Sequence, residues 1–340
     1  MMTVSNRQFL LKNRPQGRVS ESNFELVVSE AKPKAGQALV ENLYLSLDPT
    51  NRIWMTDVEQ YMPPVAIGEV MRGLGIGRVM ESNSDLYKVD QLVSGPIGWQ
   101  DYCLIDGQES WPFTVLPALA PDVPLTLFMG AAGMTGLTAY FGLLEVGQAK
   151  AGQTLLVSAA AGATGSVVGQ IGKIKGMRVV GIAGGAEKCR LLTEYFGFDA
   201  AVDYKDADWK KQLADATPDG VDVSFENVGG EIMNAAISRL NMRARMVLCG
   251  LISSYNDDND ANARANLVPF LMKRASLQGF IVSDYFAKFA PATTDLVSWV
   301  LAGQIKTKET LVDGLKQAPE ALNQLFDGNN VGKLLVKLKS

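Results

Sequence analysis

The residues with the clearest chemical potential form a glycine-rich stretch, AAAGATGSVVGQIGKIKG (159–176), directly after a short apolar run. Its glycines Gly162, Gly165 and Gly169 are spaced G-x-x-G-x-x-x-G. Where such a stretch joins a buried strand to a helix, the backbone can approach a ligand closely, and the unpaired N–H groups of the first helical turn carry partial positive charge. We therefore expect a pyrophosphate site here. The alternative is close packing of a helix on a sheet without a ligand, because glycine triplets alone are a weak signal.

The segment IAGGAEKCR (182–190), at the end of the next apolar run, bears on which nucleotide would bind. In NAD-selective domains an acidic residue about 20 positions after the glycines accepts hydrogen bonds from the adenosine ribose. Residues 183–185 are Ala-Gly-Gly instead, and Lys188 then supplies a cation. A missing carboxylate removes the repulsion against a 2′-phosphate, so this segment predicts NADP(H). In the alternative, Lys188 is a solvated helix residue and Glu187 binds the ribose.

The chain contains no histidine, which narrows the chemistry further. A Ser/His/Asp triad, a histidine general base and an imidazole-ligated zinc are all excluded. Cys103, Cys189 and Cys249 form no CxxC pair, so we interpret them as small buried hydrophobic residues. The reaction chemistry must come from a cofactor, a phenol, a carboxylate or an amine.

The elements that position these residues follow from the pattern of apolar runs. From residue 154 onward, short β-branched runs alternate with helical segments of the length that βαβ crossovers need. Continuous apolar runs are typical of strands buried on both faces. The runs cover residues 154–159, 178–183, 200–204, 222–228, 244–250 and 276–282.

The predicted fold class is therefore α/β, with a doubly wound, six-stranded parallel Rossmann sheet. We expect this domain to span residues 128–304. Residues 1–127 show alternating strand patterns separated by Pro and Gly turns, which is typical of an antiparallel β domain. The C-terminal residues 305–340 end in a strand pattern that is expected to complete this β-rich domain.

The composition sets limits on partners and location. Hydrophobic residues make up 47% of the chain and charged residues 20%, as in ordinary soluble proteins. With a net charge of −4, no basic surface for nucleic acid is expected. The N-terminal apolar cluster is too short for a signal peptide, so a cytoplasmic location is expected. The uncharged stretches 123–144 and 151–172 are interpreted as buried segments rather than membrane spans, because Gly and polar residues interrupt them.

Taken together, these motifs make the chain similar to the medium-chain dehydrogenase/reductase superfamily. Within it, the chain resembles the leukotriene 12-hydroxydehydrogenase/prostaglandin reductase branch, which includes curcumin and alkenal double-bond reductases. The resemblance runs through nearly the whole sequence, in the motifs LYLSLDP (43–49), GWQDY (98–102), MTGLTAYFGLLEVG (134–147), VVGIAGGAEKC (179–189), FENVGG (225–230), CGLISSYN (249–256) and NNVGKLLVK (329–337).

This resemblance implies a GroES-like catalytic domain around the Rossmann domain, usually in a homodimer, and reduction of the carbon–carbon double bond of α,β-unsaturated ketones or aldehydes. Zinc-dependent relatives carry metal ligands near the segments that read Leu47-Asp48-Pro49-Thr50 and Gly68-Glu69 here. Those ligands are missing, which indicates an enzyme that works without zinc.

The resemblance also implies roles for individual residues. Gly162, Ala163, Thr164 and Gly165 would wrap the pyrophosphate, and Lys188 and Tyr204 would hold the 2′-phosphate. The remaining cofactor contacts would come from Asn227, the backbone of Cys249, Gly250, Leu251, Ile252, Ser253, Ser254 and Tyr255, the nicotinamide-side residues Phe280, Ile281 and Val282, and Asn330. As alternatives, the two asparagines could stabilise turns, and Phe280–Val282 could be sheet core.

The expected reaction is hydride transfer from NADPH to the β-carbon of the substrate, followed by protonation of the resulting enolate. Tyr255 is the expected catalytic side chain, because it follows the fifth strand at the carboxyl edge of the sheet, where ligands of open α/β folds bind. A phenol there can donate a hydrogen bond to the enolate oxygen. The alternative is an aromatic ring that only walls the pocket.

The sequence indicates the reaction type more clearly than it indicates which substrate is bound. Relatives often carry an aromatic residue and Met after Asp-Pro, where this chain has Thr50 and Asn51. Other candidate lining residues, or alternatively core residues, are Trp54, Tyr61, Trp99 and Tyr285. Quinone reduction is a rival activity, and a non-catalytic NADPH-binding protein is a rival of another class.

Overall fold

The computed structural model describes residues 3–109, 111–118, 123–256 and 265–339. In chain order, the strands are β1 Val4–Leu11, β2 Phe24–Ala31, β3 Ala38–Ser46, β4 Gly75–Ser82, β5 Leu92–Gly95, β6 Tyr102–Ile105, β7 Thr114–Val115, β8 Thr154–Val157, β9 Arg178–Ala183, β10 Ala200–Asp203, β11 Val221–Glu226, β12 Leu240–Leu248, β13 Ser276–Gly279, β14 Glu309–Asp313 and β15 Lys333–Lys337. The α-helices are α1 Thr50–Trp54, α2 Met134–Phe141, α3 Ala163–Ile174, α4 Ala186–Arg190, α5 Trp209–Ala216, α6 Gly230–Ser238, α7 Val268–Lys273, α8 Phe289–Leu301 and α9 Ala318–Asp327.

The chain divides into two compact units, and one of them interrupts the other in sequence. The β-rich unit consists of Met1–Met129, Glu309–Asn329 and Leu334–Ser340. The second unit consists of Gly130–Lys308 and Asn330–Lys333. The short segment Asn330–Lys333 thus belongs with the second unit, although the chain on both sides of it belongs with the first.

The β-rich unit is built from antiparallel strands. β1 and β2 pair in one two-stranded sheet, and a larger sheet has the order β14-β15-β3-β4-β5-β7, with β6 pairing β3. β15 pairs with β3 in the register Leu335↔Ser46, so the C-terminal strand lies in this sheet. The core beneath it centres on Trp99, whose ring stacks on Phe24 with 5.2 Å between centroids.

The second unit contains a parallel six-stranded sheet in the order β10-β9-β8-β11-β12-β13. This is the doubly wound arrangement in which the strand order reverses between β8 and β11, and ligands of such sheets bind at the carboxyl ends beside that reversal. The predicted fold class, a Rossmann sheet inserted into a β-rich domain, is confirmed. The residues that follow β8 and β11 are therefore the candidate ligand-binding residues of this sheet.

Burial explains why these runs form strands. Leu155, Leu156 and Val157 in β8 are fully buried, and each such side chain contributes about 1.5–3 kcal/mol to folding. Helix α3 lies close to the sheet because Gly169 faces the Phe198 ring, where a Cβ atom would sit 1.9 Å from a ring carbon. The third glycine of the motif thus serves helix packing.

The long uncharged stretches also have a structural explanation. Residues 123–144 contain α2, and residues 151–172 contain β8 and much of α3. Among the described residues, no helix has both the length and the apolar character needed to cross a bilayer.

Candidate active site

The glycine loop leads from β8 into α3 through a constrained backbone. Ala159 has a φ angle of 48°, a left-handed conformation that costs a residue with a Cβ roughly 1 kcal/mol or more. Gly162 caps α3, and a Cβ on Gly165 would lie 2.5 Å from the Ala159 carbonyl oxygen. The helix therefore starts directly against the loop, and its first amides face the carboxyl edge of the sheet.

The first-turn amides of α3 are free to bind a ligand. Within the described ranges, the backbone N–H groups of Thr164 and Gly165 donate to no carbonyl, as expected for helix N-termini. These amides and the helix dipole suit an anion such as a pyrophosphate. The predicted glycine-loop residues are thus grouped in one cradle.

The segment Asn330–Lys333 runs beside this cradle. Gly332 donates its N–H to the Ala161 carbonyl at 2.8 Å and forms a bridge with Gly162. Asn330 is buried, and its side-chain amide donates to the Gly332 carbonyl at 3.1 Å. Asn330 therefore stabilises a turn, and that turn lies against the glycine loop.

The candidate 2′-phosphate end lies where β9 and β10 end. A Cβ on Gly184 would approach the Tyr204 ring to 2.9 Å, so the phenol lies directly over this glycine. Asp203 accepts hydrogen bonds from the amides of Gly185 at 2.7 Å and Lys205 at 3.0 Å. That aspartate thus shapes the turn.

Cations gather at the same place. Burial and the nearby charge of Lys205 both lower the pKa of Lys188 from its ordinary value. A lysine that is partly desolvated beside a second cation favours an anion between them. Glu187, the alternative ribose ligand, is exposed. Lys205 is a contributor that the sequence interpretation missed.

A buried carboxylate, Glu226, organises the residues at the β8/β11 reversal. One of its oxygens accepts hydrogen bonds from the Ser158 hydroxyl at 3.0 Å, the Val228 amide at 2.7 Å and the Gly229 amide at 2.8 Å. Burial raises the pKa of Glu226, whereas these hydrogen bonds favour its ionised form. The motif FENVGG (225–230) contributes to the family resemblance, but the sequence alone indicated no role for this glutamate.

Asn227 is held by the same group of residues. Its backbone N–H donates to the Ser158 hydroxyl oxygen at 2.8 Å, and its side-chain amide donates to the Ser158 carbonyl at 2.8 Å. Asn227 therefore joins the loop after β8 to the loop after β11. Its side chain supports this junction.

The loop after β12 is fastened to the same strand end. Cys249 and Gly250 donate their amides to the Glu226 carbonyl, and Ile252 donates to the Asn227 carbonyl at 3.1 Å. The Leu251 amide donates to the Tyr255 hydroxyl oxygen at 3.0 Å. Tyr255 thus turns back over its own loop, and its hydroxyl lies close to Gly250.

The segment Phe280–Val282 follows β13 on the other side of this loop. Phe280 packs edge-on against Phe225, with 6.4 Å between ring centroids, and against Gly142, where a Cβ would lie 2.6 Å from its ring. Phe280 therefore has a packing role, in line with its core alternative.

The candidate pocket aromatics divide into two groups. Trp99 and Trp54 are buried core residues, and the Tyr285 ring stacks on the Phe141 ring with 4.7 Å between centroids. Tyr61 is 44% exposed, and its hydroxyl bonds Thr50 and accepts the Trp54 ring N–H.

Thr50 and Asn51, which stand where relatives often carry an aromatic residue and Met, differ in role. Asn51 is buried and accepts the Asp48 amide at 2.8 Å, so its role is structural. Thr50 is partly buried, and its hydroxyl is hydrogen-bonded to the exposed Tyr61.

All three thiols are held in their protonated form. Burial, and to a smaller extent Asp203, raises the pKa of Cys189 to about 11. Burial and Glu226 raise the pKa of Cys249 to about 12, and burial also raises the pKa of Cys103. The sequence-based interpretation holds fully for Cys103, since Cys189 and Cys249 are only partly buried.

These pKa directions predict slow alkylation of the folded protein. Because its thiolate fraction rises only toward pH 11, Cys189 should react with iodoacetamide at pH 7.5 about 100-fold more slowly than in the unfolded chain. The rate should increase about tenfold per pH unit up to pH 10. Mass spectrometry of quenched time points measures this, and equal rates for folded and urea-unfolded protein would contradict the prediction.

Among the described residues, no group of three or more cysteine, aspartate or glutamate side chains is placed to hold a metal ion. The site offers an anion cradle at the start of α3, two neighbouring cations near the Tyr204 phenol, and a hydrogen-bonded junction of three loops that carries Tyr255. This set can bind a dinucleotide along the sheet edge and present a phenol beside it.

Comparisons with known proteins agree with this geometry. The family model described as the N-terminal domain of oxidoreductase matches residues 7–113, and the model described as zinc-binding dehydrogenase matches residues 163–299. The second match covers strands β9 to β13 of the parallel sheet.

Similar proteins cover almost the whole chain. The NADPH-dependent curcumin reductase of Escherichia coli (strain K12) is 43% identical, covering 98% of this chain and 97% of the relative. The 2-alkenal reductase (NADP(+)-dependent) of Nicotiana tabacum is 38% identical, covering 98% and 97%. The solved structure of CurA in complex with NADPH from Vibrio vulnificus has a TM-score of 0.92 and 42% identity, covering 98% of this chain and 99% of that one.

Proposed function

Because the chain belongs to the medium-chain dehydrogenase/reductase superfamily, in its curcumin, alkenal and prostaglandin reductase branch, we propose that it is a zinc-independent, NADPH-dependent reductase of the carbon–carbon double bond of α,β-unsaturated ketones and aldehydes. The observation that carries this proposal is the open N-terminus of α3 at the β8/β11 reversal, in a chain that resembles such reductases from end to end. The β-rich unit, assigned as residues 1–127 with 305–340, is the GroES-like catalytic domain in this proposal. Residues 128–304 are the Rossmann NADP-binding domain.

In this proposal NADPH extends along the carboxyl edge of the sheet. Residues Gly162–Gly165 bind the pyrophosphate, and Lys188 with Tyr204 binds the 2′-phosphate. Asn227, the backbone of residues 249–255, residues Phe280–Val282 and Asn330 complete the cofactor site. The free amides of α3 and the two cations beside Tyr204 support this orientation.

The cofactor supplies a hydride for the β-carbon of the substrate, and the protein supplies orientation and a proton path. The loops fastened at Glu226 hold Tyr255 in place at the sheet edge. A phenol whose oxygen accepts a backbone amide is polarised, which makes its O–H a stronger hydrogen-bond donor. In this proposal Tyr255 donates a hydrogen bond to the substrate carbonyl oxygen as negative charge develops there.

A panel assay tests the proposed activity. Purified protein should oxidise NADPH in the presence of a simple enone and an enal, and mass spectrometry should identify the saturated carbonyl product. Faster turnover of quinones would assign the rival quinone-reductase activity. Tight NADPH binding without turnover of enones, enals, acrylates or quinones would assign a non-catalytic binding protein and overturn the proposal.

Tyr255→Phe tests the catalytic assignment. The variant loses the donor to the developing enolate while it keeps the ring, so kcat for an enone should fall about 10- to 100-fold. The Kd for NADPH should change less than about threefold. Unchanged kcat would remove Tyr255 from the mechanism, and Tyr204→Phe serves as a phenol control that alters nucleotide affinity instead.

A homodimer is part of the same proposal. β13 forms one edge of the parallel sheet with all four residues exposed, and α7 beside it exposes Leu271 at 72%. Exposed edge strands with adjacent apolar side chains pair readily with a second copy.

Sedimentation measurements test the dimer. The wild-type chain should sediment as a dimer, and Leu271→Asp combined with Leu277→Asp should shift it to monomer. Leu311→Asp, on an exposed leucine of the β-rich unit, is the matched control and should remain dimeric. A monomeric wild-type chain would contradict this part of the proposal.

A cytoplasmic location is the final part of the proposal. The three cysteines are free, as is usual for proteins of reducing compartments. Cell fractionation tests this location, and recovery in an extracellular or membrane fraction would contradict it.

A further inference from the structure

Glu226 occupies an unusual position for a carboxylate. It is the last residue of β11, a central strand, and it is fully buried beside the reversal of strand order. Its side chain bonds the loop after β8 through Ser158 and its own loop through Val228 and Gly229. Its backbone carbonyl accepts two amides from the loop after β12. One residue therefore ties together three loops at the carboxyl edge.

Folding alone gives little reason for a carboxylate at this point. The second carboxylate oxygen of Glu226 is buried and has no hydrogen-bond partner within the described ranges. Burial of a charged group that is only partly compensated opposes folding. Groups that are retained at such a cost are frequent at functional sites.

The hydrogen bonds around Glu226 have a defined direction. The Ser158 hydroxyl donates to Glu226, which leaves the Ser158 oxygen lone pairs to accept the Asn227 backbone N–H. Without the carboxylate, the hydroxyl could rotate and donate elsewhere, and the Asn227 amide would lose its aligned acceptor. Glu226 thus determines the orientation of Ser158, and Ser158 determines the position of Asn227.

We propose that Glu226 is a positioning residue for the nicotinamide half of the cofactor, acting through Ser158 and Asn227 on the loop that carries Tyr255. The inference rests on the proposed NADPH-dependent function. It predicts that loss of the Glu226 acceptor weakens binding of the whole dinucleotide and spares binding of its adenosine end. The groups that would serve the adenosine end are the first amides of α3, the cations Lys188 and Lys205 and the phenol of Tyr204. None of them is a hydrogen-bond partner of the Glu226 side chain.

The same strand provides a matched control. At the amino edge of the sheet, Asp222 in β11 accepts the Thr154 amide of β8 at 2.8 Å and the Asn241 side-chain amide of β12 at 2.9 Å. Asp222 therefore links the same three strands as Glu226, at the opposite end from the cofactor loops. Loss of either carboxylate should destabilise the sheet, but only loss of Glu226 should affect cofactor binding.

The experiment measures binding by calorimetry with two probes, NADPH and adenosine 2′,5′-bisphosphate, together with Tm. For Glu226→Met, the Kd for NADPH should rise at least about tenfold, and the Kd for the bisphosphate should stay within about twofold. Glu226→Gln keeps an acceptor for the three donors and should recover most of the NADPH affinity. Asp222→Leu should lower Tm and leave both affinities unchanged. If Glu226→Met does not fold, Ser158→Ala should show the same selective loss.

Several results would overturn the inference. Equal losses for both probes, failure of Glu226→Gln to recover affinity, or unchanged NADPH binding in Ser158→Ala would each indicate a purely structural carboxylate. An equal loss of NADPH affinity in Asp222→Leu would do the same. Failure of the NADPH dependence on which the inference rests is distinguishable, because the wild-type protein would then bind neither probe.

Discussion

Gly165→Ala, which adds a single methyl group, is expected to raise the Kd for NADPH at least about 30-fold. The added Cβ would lie 2.5 Å from the Ala159 carbonyl oxygen and 2.9 Å from the Ala160 Cα, both of them backbone atoms. The loop cannot move away easily, since Ala160 donates its amide to the Ile182 carbonyl. The start of α3 must therefore shift, and its first amides lose their alignment on the pyrophosphate.

Gly172→Ala provides the control for this experiment. Gly172 lies near the end of the same helix, and its added Cβ would meet the Leu155 side chain at 2.6 Å. Tm should fall in both variants, because both crowd the contact between α3 and its surroundings. Calorimetric titration with NADPH should separate them, with affinity lost for Gly165→Ala alone. Retention of wild-type affinity in Gly165→Ala would show that the pyrophosphate binds elsewhere.

The sequence predicted the parallel sheet well because burial on both faces leaves a continuous apolar run. β9 spans the predicted residues 178–183, and the other strands fall within or beside their predicted runs. Several end earlier than the apolar run does. β8 stops at Val157, because Ser158 and Ala159 turn into the glycine loop, where Ala159 adopts a left-handed backbone. The residues that leave the strand are those that build the site.

The packing aromatics were harder to distinguish from site residues. Trp99 and Trp54 are core residues in the structure, and Phe280 packs on Phe225. An aromatic residue beside a motif is equally compatible with a pocket wall and with a core, and only the strand pairing decides which face it occupies.

Glu226 shows what a single sequence leaves undetermined. The resemblance implied a cofactor contact for Asn227, with turn stabilisation as the alternative, and it implied no role for the glutamate. The partners of the carboxylate are Ser158, about 70 residues earlier, and amides two and three residues later. Contacts across that separation depend on which strands are adjacent. The order β8-β11 supplies the missing information, and the glutamate's role follows from it.

Lys188→Ala is expected to change nucleotide selectivity more than any other single substitution at the adenosine end. Lys188 is partly desolvated beside Lys205, and the Tyr204 ring lies over Gly184 at the same turn. A charge-assisted hydrogen bond to a phosphate contributes roughly 1.5–3 kcal/mol, so the Kd for NADPH should rise about 10- to 100-fold. The Kd for NADH, which lacks the 2′-phosphate, should change less than about threefold.

The alternative assignment of this turn gives the opposite pattern. If Glu187 binds the ribose, Glu187→Gln should weaken NADH binding, and Lys188→Ala should leave NADPH binding intact. Raising the salt concentration provides a further distinction, because screening weakens a contact between Lys188 and a phosphate but has little effect on a ribose hydrogen bond. An NADPH affinity that falls steeply with salt in the wild-type protein, and less steeply in Lys188→Ala, would assign the 2′-phosphate to this lysine. Since Lys205 remains in the variant, some salt dependence should persist, and only Lys188→Ala combined with Lys205→Ala should remove it.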